Sequence, residues 1–189
     1  NIGQNGLMDS FYHDFCGKTL LELKKELKQP TSKRIFAVAA AITRGLKTET
    51  INGLSGIDPW FLRQIKNVVD FDSRIVSFNP QVIKKAKLFG FSDEYLGQKL
   101  GQKETEVRKI RQGHQIMPVV KQIDTVAAEF PAQTNYLYLS YSEKDHDISF
   151  PKKAKKKAVI LGSGPYCIGS SVEFDWCAVN AAWALNEEG

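Results

Sequence analysis

"GLKTETINGLSGIDPWFLRQIK", residues 45–66, returns 45 positions later as "GFSDEYLGQKLGQKETEVRKIR", residues 90–111. Gly45 matches Gly90, Glu49 matches Glu94, Gly56 matches Gly101, Arg63 matches Arg108 and Ile65 matches Ile110. Leu46, Ile51 and Leu62 meet Phe91, Leu96 and Val107. Each copy reads as a helix stop, a short helix, a glycine turn and a second helix, so the region is a duplicated helix pair. Two copies are too few for a solenoid and predict a compact domain of paired short helices.

The flanking sequence has the same grammar. Thr19 and Glu22 form a capping box, Leu20, Leu23 and Leu27 make a stripe at helical spacing, and Pro30 closes the segment. In "TSKRIFAVAAAITRG", residues 31–45, Ile35, Val38, Ala39 and Ile42 fall on one face, with Arg44 suited to the C-terminal dipole and Gly45 as the stop. Asn79 and Pro80 open a further helix with Val82, Ile83 and Ala86 inward, ending at Gly90. After Gly113 the pattern changes. "VVKQIDTVAAEFP", residues 119–131, predicts a short amphipathic turn or helix ended by Pro131. "NYLYLSYS", residues 135–142, alternates Leu137, Leu139 and Tyr141 against Tyr136, Tyr138 and Ser140, as a half-buried strand under the helical domain does.

Composition narrows the function. The 189 residues are 42% hydrophobic and 25% charged, as in an ordinary globular chain. No apolar run approaches the ~20 residues that span a bilayer, and the N-terminus lacks the order of a secretory signal, so we expect a cytoplasmic protein without a membrane partner. Cys16, Cys167 and Cys177 include no C-x-x-C pair, and His13, His114 and His146 match no metal-ligand spacing. Of 26 basic residues, Lys152, Lys153, Lys155, Lys156 and Lys157 lie in one stretch, and without them basic and acidic residues balance. The net charge of +5 is therefore that of a solvated linker over residues 151–157. A helix–turn–helix DNA reader is the alternative for the repeat. Such a unit needs hydrogen-bonding side chains at the exposed helix start, whereas one copy places Trp60 and Phe61 there and the other Glu104 and Glu106. We expect no nucleic-acid partner.

Beyond the linker, "AVILG" is an apolar run of the kind buried in a parallel sheet. Gly162 and Gly164 allow a tight turn, and Ser170 with Glu173 caps a helix whose Val172, Trp176, Val179 and Trp183 form one stripe. This is a βα unit. A dinucleotide-binding enzyme fragment is the second alternative, on a poor fingerprint: through Gly162, Gly164 and Gly169 the glycine spacing is two residues too long, and Pro165 removes a donor. It is no phosphate-binding G-x-x-x-x-G-K-[ST] loop either, since Ser170 stands where Lys is required.

"VILGSGPYCIGSSVEFDWCAVNAAWALNEEG", residues 159–189, resembles the start of the second synthetase half of the carbamoyl-phosphate synthetase large subunit, with its G-[SG]-G-P-x-x-I-G-x-x-[VI]-E-F-D-[WY]-C signature. "KRIFAVAAAITRG", "IDPWFLRQIK", "KLFGFSDEYLGQKLG" and "VVKQIDTVAAEFPAQTNYLYLSY" resemble, in order, the helical oligomerisation domain between that family's two halves. "SSVEFDWC" and "TNYLYLSY" are similar to the pyrimidine-pathway, eukaryotic-like versions.

The resemblance implies a mainly α architecture in four parts. These are an N-terminal linker at 1–17, a helical oligomerisation domain at 18–150, the lysine linker at 151–157, and a truncated start of a pre-ATP-grasp α/β domain at 158–189. It implies a parent ligase that makes carbamoyl phosphate from bicarbonate, an ammonia donor and two ATP with Mg, through carboxyphosphate and carbamate. This segment would hold no catalytic residue and no cofactor of its own. Its partners would be other synthetase subunits, the remaining large-subunit domains and a glutamine amidotransferase. Ser171 and Glu173 would line the carbamate passage, and Cys167 stands where many relatives carry Arg. Trp60, Phe61, Phe89 and Phe91, more aromatic surface than short helices readily hide, are the expected subunit contacts.

Overall fold

The computed structural model describes residues 6–124, 129–130, 136–150, 158–161 and 173–188, with residues 173–175 as backbone only. The chain divides into two units, residues 1–148 and 149–189. The first holds α1 (Ser10–Cys16), α2 (Leu20–Lys28), α3 (Arg34–Thr43), α4 (Thr48–Ser55), α5 (Pro59–Asp72), α6 (Pro80–Leu88), α7 (Asp93–Leu100), α8 (Glu104–Gly113), β1 (Val119–Gln122) and β2 (Leu137–Ser140). The second holds α9 (Glu173–Glu187). The architecture is mainly α, as the sequence predicts.

The first unit is built around α3, which packs against α1, α2, α4 and α5. Every residue from Phe36 to Ile42 is buried, so α3 is enclosed on all sides and not along the single face expected. Its alanines let neighbouring helices approach closely, and Ile35, expected inside, is exposed. Residues 1–17, expected as a linker, contain α1. Met8, Tyr12 and Phe15 recur at i, i+4 and i+7 and join the core. The Tyr12 hydroxyl meets Thr43 Oγ1 at 3.0 Å, and burial pushes its pKa up to about 12. At the far end of α1, Arg44 Nη1 donates to the carbonyls of Cys16 at 3.1 Å and Lys18 at 2.8 Å. In α2 the capping box of Thr19 and Glu22 is present and Leu23 and Leu27 are buried, while Leu20 faces solvent.

The duplication is visible in the backbone. Gly45 and Gly90 take φ of +82° and +85°, and Gly56 and Gly101 take +69° and +71°. After each first pair of glycines the next amide turns back, Leu46 N–H to Ala41 C=O at 2.9 Å and Phe91 N–H to Ala86 C=O at 3.1 Å. This is the left-handed helix ending in which the following apolar residue returns to its own helix. Ile51 and Leu62 in one copy and Leu96 and Val107 in the other are buried at equivalent positions. Ile83 and Ala86 of α6 are buried as expected, and Val82 is partly so.

Val119–Gln122, expected within a turn or helix, is a strand. It pairs antiparallel with β2 in a two-stranded sheet, Val120 opposite Leu139 and Gln122 opposite Leu137. Local β-branching at Val119 and Val120 outweighs the helical spacing of the longer window. Ile123 N–H donates to Tyr136 C=O at 2.8 Å, which fixes the bonded pairs and turns Val120 and Gln122 outward. That margin is closed by the following loop. Val120 N–H donates to His146 Nδ1 at 2.9 Å and Gln122 N–H to Asp147 Oδ2 at 3.0 Å, while Asp147 N–H donates to Val120 C=O at 3.0 Å. Tyr136, Leu137, Tyr138 and Leu139 are all exposed, against the half-buried strand expected.

In the second unit, residues 158–161 form no strand and Val159 and Leu161 are exposed. On α9, Trp176, Val179 and Trp183 are exposed as well. The sheet that would cover both is not found among the described residues, so the expected βα unit is represented only by its helix. The linker at 151–157, the glycine positions Gly162, Gly164 and Gly169, Cys167, and Ser170 and Ser171 lie outside the described residues.

Candidate association surface and its buried ionic brace

The four aromatic residues expected at a subunit contact separate into two pairs. Asp58 caps α5 by accepting from Trp60 N–H at 2.7 Å, with Pro59 at the first helical position. Trp60 and Phe61 follow at once, their rings edge-on with centroids 4.9 Å apart and 53% and 57% exposed. The internal repeat supplies a comparison: 45 residues on, the equivalent positions are Thr105 and Glu106. The fold therefore accepts polar residues there, and the aromatic pair is not required for packing.

Phe91 is hidden, against the exposure expected, while Phe89 is half-buried. Phe91 is only 7% exposed; it stacks on Tyr95 at 5.4 Å and lies 6.3 Å from Phe71, which Phe89 meets at 5.0 Å. The left-handed turn at Gly90 folds Phe91 back inside, as Gly45 does for Leu46. The matched pair Leu46 and Phe91 in the repeat already carried that signal.

Behind this lies a feature the sequence reading missed. Asp93, the first residue of α7, is 6% exposed. Its Oδ1 accepts from Lys87 Nζ of α6 at 2.9 Å and its Oδ2 from Arg111 Nε of α8 at 2.7 Å, with Arg108 Nε at 3.9 Å. Lys87 also donates to Phe91 C=O at 2.8 Å and Arg111 to Ile116 C=O at 3.2 Å, and both cations lie against the Tyr141 ring. Burial alone would raise the Asp93 pKa; the bonds from Lys87 and Arg111 outweigh it and hold the carboxyl below its usual range. A second carboxylate, Asp72 of α5, accepts from Tyr95 Oη at 2.7 Å and Lys99 Nζ at 2.7 Å and ties the two copies of the repeat together. Burial and Asp72 both raise the Tyr95 pKa. Each carboxylate is spent on structural partners, and no metal-holding group of His, Cys, Asp and Glu exists among the described residues. What the described residues present at the surface is the exposed Trp60–Phe61 pair, with the Asp93 and Asp72 ion pairs as internal braces.

A consequence for acid stability follows from the sign of the Asp93 shift. A carboxyl depressed in the folded state contributes stability fully above the unfolded pKa of about 4 and loses it as pH falls through the folded value. In urea titrations below about pH 4, Asp93→Asn is expected to lose part of the acid slope of the native chain. Superimposable slopes would mean that Asp93 does not carry it.

Residues 2–115 match the family model described as "Carbamoyl-phosphate synthetase large chain, oligomerisation domain". The chain belongs to this family. Residues 154–189 match the model described as "Carbamoyl phosphate synthase preATP-grasp domain". Among curated relatives, "Carbamoyl-phosphate synthase [ammonia], mitochondrial" of Aquarana catesbeiana is 45% identical over 174 residues, covering 89% of this chain. "Multifunctional protein CAD" of Squalus acanthias is 46% identical over 171 residues, covering 87%. "Carbamoyl phosphate synthase arginine-specific large chain, mitochondrial" of Neurospora crassa is 43% identical over 189 residues, covering 96%. The chain spans 11%, 8% and 16% of these relatives' lengths respectively. Membership sets aside the DNA-reading and dinucleotide alternatives, and no described helix is long and apolar enough to cross a membrane.

Proposed function

We propose that the 189 residues form the association and connecting segment of a carbamoyl-phosphate synthetase large subunit, inactive by itself. The observation that carries this is an exposed Trp60–Phe61 pair, at positions where the internal repeat is polar, inside the span matching the oligomerisation domain. The reading extends to the parent enzyme: a ligase that uses ATP and Mg to make carbamoyl phosphate from bicarbonate and ammonia or glutamine-derived ammonia, for pyrimidine or arginine synthesis. Its partners are other synthetase copies, the remaining large-subunit domains and a glutamine amidotransferase, in the cytoplasm. ATP and Mg belong to the parent's ATP-grasp domains, where positioning and charge neutralisation drive phosphoryl transfer. Ser171 and Glu173 are assigned by resemblance to the carbamate passage, which protects a labile anion from bulk water.

The test is sedimentation of the full-length large chain and of this segment. Trp60→Ser and Phe61→Ser are each expected to weaken self-association at least tenfold, as loss of an aromatic anchor does. Their urea unfolding should stay within about 0.5 kcal/mol of the native chain, since the positions are at the surface. Unchanged association in both variants, or a large loss of stability, would remove the pair from the contact. Formation of carbamoyl phosphate by the full-length chain, from ATP and bicarbonate with ammonia, tests the wider reading.

A further inference from the structure

The two margins of the hairpin are treated differently. Val120 and Gln122 on β1 are closed by His146 and Asp147, and Lys121 pairs with Asp147 at 2.5 Å. On β2 the register turns Leu137 and Leu139 outward, and no further strand flanks them among the described residues. Proteins blunt an open strand edge with charge, proline or a covering loop. The stretch "YLYLSYS", residues 136–142, has neither charge nor proline. Both of its faces are apolar, with Leu137 and Leu139 on one and Tyr136 and Tyr138 on the other, and Leu139 is 67% exposed. A strand apolar on both faces belongs inside a sheet, and a lone two-stranded hairpin is only marginally stable.

We propose that the β2 margin receives an extended, uncharged strand from the synthetase body of the same polypeptide, making a sheet of at least three strands. This rests on the parent-enzyme reading above. Two observations select that occupant over a second copy. Pairing along a four-residue strand buries far less than the ~1,200 Å² of a stable interface, so two separate copies would not hold there. A tethered segment meets the edge at an effective concentration of about millimolar. The relatives also carry most of their length outside the matched span, 89% of this chain corresponding to 11% of the Aquarana catesbeiana protein.

Hydrogen–deuterium exchange at single amides tests this in the full-length large chain and the 189-residue chain. The outward Leu137 and Leu139 amides should exchange freely in the short chain and about a hundredfold more slowly in the long one. In the full-length chain, Leu139→Pro removes one outward N–H and is tolerable at a sheet edge. It should abolish the added protection at Leu137 while the amides of α2 to α8 keep theirs. Equal exchange of Leu137 and Leu139 in both chains would overturn the proposal, as would protection in the short chain that rises with its concentration, the sign of a second copy. A full-length chain with slow Leu137 and Leu139 amides but no carbamoyl phosphate formation would sink the functional reading and leave the strand pairing standing.

Discussion

Replacing Asp93 by alanine is expected to lower the unfolding free energy by about 3–5 kcal/mol, the cost of leaving buried cations without their counterion. Lys87 of α6 and Arg111 of α8 converge on the one carboxylate of α7, and each also donates to a backbone carbonyl and lies against the Tyr141 ring. Against a total stability of about 5–15 kcal/mol for a domain, such a loss brings α6, α7 and α8 near the point of melting. Two variants separate the pair's worth from the penalty of orphaned charge. Asp93→Ala alone should be severe, whereas Asp93→Leu combined with Lys87→Met and Arg111→Met should recover most of the loss, because an apolar replacement of similar volume removes the unpaired cations too. Urea unfolding monitored by circular dichroism reads both. A single-variant loss under about 1 kcal/mol would place the cations in water and class the bridge with ordinary surface pairs.

Gly97→Ala is the second large effect, expected to cost about 2 kcal/mol or more despite a gain in helix propensity of about 1 kcal/mol. Gly97 lies inside α7, where a methyl would stand 2.6 Å from the Gln102 carbonyl oxygen and 3.3 Å from Glu104 N. Those obstacles are backbone. Gln102 N–H also donates to Gly97 C=O at 2.8 Å, so the turn into α8 cannot swing away without breaking that bond. The equivalent position of the first copy holds Asn52, whose Nδ2 donates to Ile57 C=O at 2.9 Å. The same left-handed glycine thus closes one turn tightly and leaves the other room for a side chain. Thermal unfolding of Gly97→Ala beside Asn52→Ala measures the contrast; a Gly97→Ala chain as stable as the native one would show that the close approach is not enforced.

Local signals in the sequence fared well. The glycine stops at Gly45 and Gly90, the capping box of Thr19 and Glu22, and the Asn79 cap at Pro80 each depend on residues within one turn, and each is in place. Ile51, Leu62, Leu96 and Val107, matched apolar positions of the internal repeat, are all in the core. The resemblance carried by "IDPWFLRQIK" and "SSVEFDWC" is matched by the two family models. Readings that needed a tertiary partner failed. The burial of α3 on all sides depends on four surrounding helices, so an alanine-rich segment gives no warning of it. The burial of Phe91 follows from the backbone turn at Gly90, which returns its amide to Ala86, and bulk alone does not predict it. The brace at Asp93 joins residues 6 and 18 positions away, separations that no short-range pattern exposes. The exposure of Trp60 and Phe61 was legible because their twin positions in the repeat, Thr105 and Glu106, are polar.

The loop that latches β1 also sets where this polypeptide can safely be divided. A helical unit expressed to end before His146 would lose the side chains that plug Val120 and Gln122, leaving both margins of the hairpin bare. Edge-to-edge aggregation is then expected to compete with folding, and a cut after Asp147 keeps the latch.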